Sequence, residues 1–426
     1  MTESTETTVG SYFISNYPPF SQWSSDELGE IKTAFASAPN DSPLGLYLHI
    51  PFCRKRCKFC YFKVFTDNKA SDIETYVSAL SQEIELVSQQ PFMGDRPIRF
   101  VYFGGGTPSR LMITEVSLLL GEIRNYFPSS DQIEISFEMN PEDVTPEYLN
   151  GLAENGVTRL SLGGQSFNDS TLKKLGRCHS ALELRESITA IVNSPINNWN
   201  LDLMFGIPEQ SISMFKKDVE EALACDPSHI SMYGLEIHER TPFGQNKQFR
   251  KWESEHQEQF EEMYLWATEH MEKAGLFQYE VSNFSKISKE GRNNLVVWSG
   301  QEYLGFGVGA HSYYHQTRWG NKRSLSTYLK HLDANEWPVD FKEQLFAEQL
   351  AAESLMLGLR QCKGFNIKDW QRRFGLQWQK QQLDFVQELC DEGRAFWEDQ
   401  HLCLTPKGML LADKITVELL PTIRRN

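Results

Sequence analysis

The chain has 426 residues, 40% of them hydrophobic and 23% charged, which is ample for one large domain and a smaller one, each with its own core. Its 57 acidic residues against 42 basic ones give a formal charge of −15, which argues against nucleic acid as a partner, since binders of a phosphate backbone present a basic face. No apolar run reaches the roughly eighteen residues that span a bilayer, and residues 1–10 are polar with no targeting pattern, so the expectation is a soluble, cytoplasmic protein without a membrane span.

In chain order, residues 1–42 read as a tail with one helix over 27–36, capped by Ser24, Ser25 and Asp26 and stopped before Pro39. Alternating apolar residues predict a first strand over 45–50. It runs into Tyr47-Leu-His-Ile-Pro-Phe-Cys53-Arg-Lys-Arg-Cys57-Lys-Phe-Cys60-Tyr-Phe62, which gathers three of the eight cysteines in one loop. Three thiols at the end of a buried strand suggest a metal. A structural zinc site wants four closed ligands, usually two C-x2-C pairs, and no second pair or histidine partner follows at that spacing. A disulfide knot is disfavoured because no secretory signal precedes the cysteines and the other five are scattered. An iron–sulfur cluster fits better. Such clusters are normally held by four thiolates, so three leave one iron open to a ligand that is not protein. The interleaved Arg54, Lys55, Arg56 and Lys58 have two readings, an offset to the thiolate charge or an ordinary solvated loop.

Ser71 is expected to start a helix, with Glu74 closing a capping box and Ile73, Tyr76, Val77, Leu80, Ile84 and Val87 on one face. Strands are then expected over 98–103, 132–138, 158–162, 198–205 and 229–235, separated by helices over 114–126, 146–155, 181–192 and 211–224, with Thr145 and Pro146 as an N-cap and N1 pair. Strands alternating with helices mean an α/β fold with parallel strands and right-handed crossovers. Six units fall short of a closed triose-isomerase-type barrel. The unusual residues fall at or near the carboxyl ends of these strands: Gly104-Gly105-Gly106-Thr107-Pro108, Glu138, Gln165, Asp202 and Tyr233-Gly234. That rim is where parallel barrels place their sites. The glycines let backbone approach a ligand closely, and they do not form a dinucleotide fingerprint.

C-x3-C-x2-C after a strand, opened by Tyr-x-His-Ile-Pro-Phe-Cys, resembles the radical S-adenosylmethionine (SAM) enzymes, within the branch that contains anaerobic coproporphyrinogen III oxidase. The resemblance covers about residues 46–314. It implies an open six-stranded (β/α)6 partial barrel with a [4Fe-4S] cluster on Cys53, Cys57 and Cys60. In that superfamily SAM chelates the open iron, and an electron from the cluster splits the sulfonium to a 5′-deoxyadenosyl radical that takes hydrogen from a small-molecule substrate. A flavodoxin- or ferredoxin-type electron donor is implied too. Gly105, Gly106 and Thr107 correspond to the motif that contacts the SAM amino group. Glu138 in Glu138-Met-Asn-Pro141, Gln165 in Gly164-Gln-Ser-Phe167, Arg177 in Leu175-Gly-Arg-Cys-His179 and Asp202 in Leu201-Asp-Leu-Met-Phe-Gly-Ile-Pro208 match the branch as well. With Tyr47 and Gly234 they are expected to surround two SAM molecules, with Tyr47, Glu138 and Gln165 as the catalytic set. Asp202 suits ribose hydroxyls, and Arg177 suits bidentate pairing with a carboxylate.

Departures bear on the substrate. Coproporphyrinogen oxidases carry a further cysteine two residues after the third, where this chain has Phe62. Residues 279–284 and 303–311 resemble the related haem chaperones, whose His-Asn-x-x-Tyr-Trp element handles haem; here residues 293–298 read Asn-Asn-Leu-Val-Val-Trp, and an amide is a poor axial ligand. A third group in the branch uses two SAM molecules to methylate or cyclopropanate carbon. The aromatic pair Tyr61-Phe62 beside the cysteines makes methyl or methylene transfer to an apolar or conjugated molecule the leading expectation, with coproporphyrinogen decarboxylation and non-catalytic haem trafficking as alternatives. Residues 43–240 are expected as the barrel core and 241–340 as an extension completing its side. Residues 341–426 read as helices over 344–359, 367–374, 379–391 and 406–419 with a hairpin over 395–404, a winged-helix-like lid over the barrel mouth. No basic stripe marks this segment for DNA. His311 and His315 are expected to be structural or to face substrate.

Overall fold

The computed structural model describes residues 43–420, so the tail and helix expected over 1–42 lie outside the described residues. Six strands, β1 (Leu44–Ile50), β2 (Ile98–Gly105), β3 (Ser129–Met139), β4 (Arg159–Gln165), β5 (Trp199–Phe205) and β6 (His229–Gly234), pair in parallel in sequence order. Between them run helices Ala70–Ser88, Ile113–Tyr126, Pro146–Glu154, Ala181–Val192 and Ile212–Ala224. Their starts follow from local chemistry: the Thr145 hydroxyl accepts the Tyr148 N–H ahead of Pro146, and Ser180 and Glu183 close a reciprocal box. The first helix starts one residue earlier than expected. Its box closes on Asp72, whose carboxylate accepts the Lys69 N–H at 2.8 Å, and Glu74 has no part in it.

Two edges of such a sheet would expose unpaired backbone, and the chain after β6 covers both. An antiparallel hairpin, β7 (Phe277–Glu280) and β8 (Asn283–Ser285), adds to β6. At the other edge β9 (Tyr303–Phe306) joins β1 in parallel, followed by antiparallel β10 (His311–Tyr314), β11 (Thr317–Asn321) and β12 (Val339–Gln344). Among the described residues the sheet therefore has twelve strands, and the expected six parallel strands become seven.

Strand alternation decides where the core sits. One register, including Leu46, Leu48, Val101, Phe103, Ile135 and Phe137, is buried against Leu80, Ile84, Val116, Leu119 and Leu149 of the helices. The other register carries Tyr47, Tyr102, Glu138, Ser161, Asp202 and Ser231 and faces the inside of the open barrel.

The C-terminal segment forms helices Ala347–Leu359, Ile367–Phe374, Lys380–Asp391 and Ala412–Leu419 around a small sheet of β13 (Phe365–Asn366), β14 (Ala395–Glu398) and β15 (His401–Leu404). It is tied to the β7–β8 edge: the Val281 N–H donates to Arg360 O and the Cys362 N–H to Tyr279 O, both at 3.0 Å, while Gln361 Nε2 donates to Trp298 O at 2.8 Å. Among the described residues no helix is long and apolar enough to cross a membrane.

Candidate functional site

The loop after β1 is pinned along its length. The Phe65 N–H donates to Pro51 O at 2.8 Å and the Cys53 N–H to Phe65 O at 3.0 Å, while Phe52 is buried edge-on against Tyr76. Further on, the Lys58 N–H donates to Leu175 O at 2.9 Å, and the Arg56 guanidinium donates to Cys60 O at 3.0 and 3.2 Å. The result is that Cys53, Cys57 and Cys60 line one cavity of about 170 Å³, open to solvent, together with Gly105, Gly106, Thr107, Glu138, Gln165, Arg177 and Asp202. Ten of the twelve residues expected to act here are thus brought together.

The donor set suits an iron–sulfur cluster. All three cysteines are free thiols. Burial pushes the Cys53 thiol up to about 11 and raises that of Cys60, so a metal binding there would displace protons. Two donors already aim at the sulfurs: the Thr107 hydroxyl at Cys53 Sγ and Arg177 Nη1 at Cys57 Sγ, each at 3.4 Å. Among the described residues no three Cys, His, Asp or Glu side chains converge as a single ion would need. Arg177 Nε is buried without a hydrogen-bond partner, an orphaned donor at the cavity wall that an anionic ligand group would satisfy.

Arg177 is placed by a short helix not expected from the sequence, Asp169–Leu175, which ends on Gly176 in the left-handed region at φ 78°. Its Nη2 donates to Asn140 Oδ1 at 2.7 Å and to Gly163 O at 2.8 Å. Gly163 is where three side chains meet: a Cβ there would lie 3.3 Å from each of Arg177 Nη2, Asn140 Oδ1 and Gln165 Nε2. Gln165 itself has φ 69°, strained for a non-glycine residue, where the β4–β5 register slips. Glu138 accepts from the Tyr102 hydroxyl at 2.6 Å and the Gly105 N–H at 3.2 Å, and burial pushes its carboxyl up to about 7. Gly105 sits at φ 113°, and a Cβ there would lie 2.5 Å from the His49 ring, so its conformation and its contact with β1 both require glycine. Asp202 accepts from Asn200 Nδ2 at 2.7 Å, and burial pushes it up to about 6.

Two expected residues do not reach the cavity. Tyr47 stacks against Tyr102, and its hydroxyl bonds His49 Nδ1 at 2.9 Å. Gly234, the last residue of β6, lines a separate small cavity with Phe205, Met232, Met409 and Leu410, on the side where the C-terminal segment docks. The residues lining the cysteine cavity run from Cys53 to Asp202, and the segment read as its lid contributes none of them. His311 starts β10, where burial lowers it to about 4, and exposed His315 sits in a turn at φ 46°. The sequence reading missed Asn140. It sits two residues beyond Glu138, on the same face of the chain, and joins Arg177 to the Thr107 hydroxyl at 3.2 Å.

A partial parallel barrel with three cysteines at its carboxyl-end rim defines the radical SAM class, and the Radical SAM superfamily profile matches residues 47–222. The HemN C-terminal domain profile matches residues 345–411. The chain is 33% identical over 371 residues to the heme chaperone HemW of Bacillus subtilis, covering 87% of this chain and 97% of that protein. It is 35% identical over 329 residues to the heme chaperone HemW of Synechocystis, covering 76% and 79%. Coproporphyrinogen III oxidase (HemN) from Escherichia coli shares the fold, with a TM-score of 0.79 over 96% of this chain and 97% of that one at 20% identity. The chain belongs to the HemN/HemW branch of the radical SAM superfamily. Membership implies a [4Fe-4S] cluster and SAM.

Proposed function

We propose that this chain is a haem-trafficking protein that holds a [4Fe-4S] cluster on Cys53, Cys57 and Cys60 and binds SAM beside it. The observation that carries the haem half is identity at 30% or more along nearly the whole length of relatives named heme chaperone HemW. The methyl-transfer reading, which rested on Tyr61 and Phe62, yields to this alternative. The cavity supports the cofactor half. Arg177 supplies an orphaned N–H for the SAM carboxylate, Glu138 and Asp202 supply carboxyls for its cationic and hydroxyl groups, and the thiols supply the cluster. In this class the cluster, reduced by a flavodoxin- or ferredoxin-type donor, supplies one electron for cleavage of the SAM sulfonium. The polar set is larger than one SAM needs, so two SAM molecules per chain belong to the proposal.

Residue 293 offers an amide and not an imidazole, so an axial ligand to haem iron must come from elsewhere in the chain. The test is anaerobic titration of the reconstituted protein with haem, alongside SAM stoichiometry by equilibrium dialysis. We expect one haem per chain, seen as a saturable shift of the haem absorption. An absence of haem binding, with S-adenosylhomocysteine and 5′-deoxyadenosine formed and methyl label in a product, would overturn the trafficking role and restore methyl transfer.

A further inference from the structure

We infer that the outer surface of the cysteine loop is a docking site for an acidic one-electron carrier protein. This rests on the cluster assignment above and adds the surface through which the electron arrives. Residues 53–63 hold five cations and no carboxylate, in a chain whose acidic residues outnumber basic ones 57 to 42. The net charge of −15 repels an acidic partner at long range, while this loop carries a local excess of positive charge that attracts it. Arg54 is occupied by Asp143, which accepts from its guanidinium at 2.5 and 3.0 Å, whereas Lys55, Lys58 and Lys63 are exposed.

A charged surface alone has a bland explanation, a solvated loop. Two further facts favour docking. The Tyr61 and Phe62 rings stack at 4.5 Å between centroids and remain 40% and 48% exposed, an aromatic contact of the kind interfaces use, set among the lysines. The loop is also held rigid from beneath, through the Lys58 N–H to Leu175 O and the Phe243 N–H to Lys58 O at 3.3 Å, so docking need not order it first. The same eleven residues carry the thiols, so a carrier seated here lies directly over the cluster's protein ligands. The carrier loses one electron, the cluster gains it, and no atom is transferred.

The test uses an acidic flavodoxin against the full chain. Binding of oxidised flavodoxin is measured on metal-free and cluster-loaded protein. Cluster reduction is followed by bleaching of its visible absorption, with flavodoxin hydroquinone and with dithionite. Lys58→Glu with Lys63→Glu should slow reduction by flavodoxin about tenfold or more and remove its salt dependence, with dithionite reduction unchanged. Lys58→Gln with Lys63→Gln should give a smaller loss in the same direction, which separates lost charge from a distorted loop. Wild-type rates with flavodoxin in both variants, or binding that ignores salt, would overturn the inference while leaving the cluster assignment intact. Failure of the wild-type chain to take up iron would instead sink the cluster assignment.

Discussion

Asn140 has no chemistry of its own, yet two of the groups that touch the cysteine sulfurs hang on it. Its Oδ1 accepts from Arg177 Nη2 at 2.7 Å and its Nδ2 donates to Thr107 Oγ1 at 3.2 Å. Replacing it with leucine keeps the volume and removes both bonds. A hydrogen bond to a charged group nets about 1.5–3 kcal/mol and a neutral one about 1, so the local loss is about 2.5–4 kcal/mol. Arg177 keeps Gly163 O at 2.8 Å and Cys57 Sγ at 3.4 Å, so part of its placement survives. If about half of the loss falls on ligand binding, SAM affinity drops roughly 10- to 30-fold, at about 1.4 kcal/mol per factor of ten. Iron content should stay at the wild-type level, because no cluster ligand is touched. Asn140→Asp retains an acceptor for the guanidinium and should bind SAM within about threefold of wild type. The measurement is equilibrium dialysis with SAM after anaerobic reconstitution, with iron and sulfide assayed in parallel. Asn140→Leu binding SAM as wild type does, or Asn140→Asp failing equally, would refute the bridging role.

Two further outcomes follow from buried carboxyls. Burial holds Glu138 at about 7 and Asp202 at about 6, so near pH 5 both are largely protonated, and a cationic ligand group must displace the proton. SAM affinity should rise from pH 5 towards 7, by up to about tenfold per unit for each group engaged, and then flatten; calorimetry in buffers of different ionisation enthalpy should show proton release, and a pH-independent affinity with no release would refute this. Glu83 accepts from the Gly307 N–H at 2.7 Å, the Tyr328 hydroxyl at 2.6 Å and Asn321 Nδ2 at 2.6 Å, tying the first helix to the extension. Glu83→Leu orphans three buried donors and should cost about 3–5 kcal/mol, read as a lower urea midpoint. Burial raises Glu83 to about 7 from an ordinary 4.5, so protonation favours the folded state: that contribution is complete below about pH 4.5 and is lost as pH rises through 7, a dependence the leucine variant should lack.

Strand alternation and cysteine spacing made the six-stranded core and most of the cavity wall legible, because a two-residue period decides which side chains face inward and the carboxyl ends decide which of those reach the rim. The period alone does not separate what was missed. Gly234 ends a strand on the same register as Gly105 does, yet it lines a different cavity, with Met409 and Leu410 of the C-terminal segment, whose docking no strand pattern announces. The extra strand β9 is four residues long, and its partner β1 lies far away in sequence, so nothing local signals the pairing. Asn140 sat in a quoted motif without a role because its partners, Thr107 after β2 and Arg177 after the helix Asp169–Leu175, meet it only in three dimensions.

The polar inward register has a further consequence. A closed barrel fills its interior with branched apolar layers, whereas this one must satisfy each inward polar group by a hydrogen bond. From Asp202 the bonds run continuously away from the cavity. Asn200 Nδ2 donates to Asp202, which leaves Asn200 Oδ1 to accept from His229 Nδ1 at 2.6 Å; His229 Nε2 then accepts from the Tyr279 hydroxyl at 2.8 Å, and that oxygen accepts from Asn294 Nδ2 at 3.1 Å. This order fixes His229 as the neutral Nδ1–H tautomer, in keeping with the fall in its pKa that burial produces. Asn294 thus anchors a relay whose other end is a wall of the cysteine cavity.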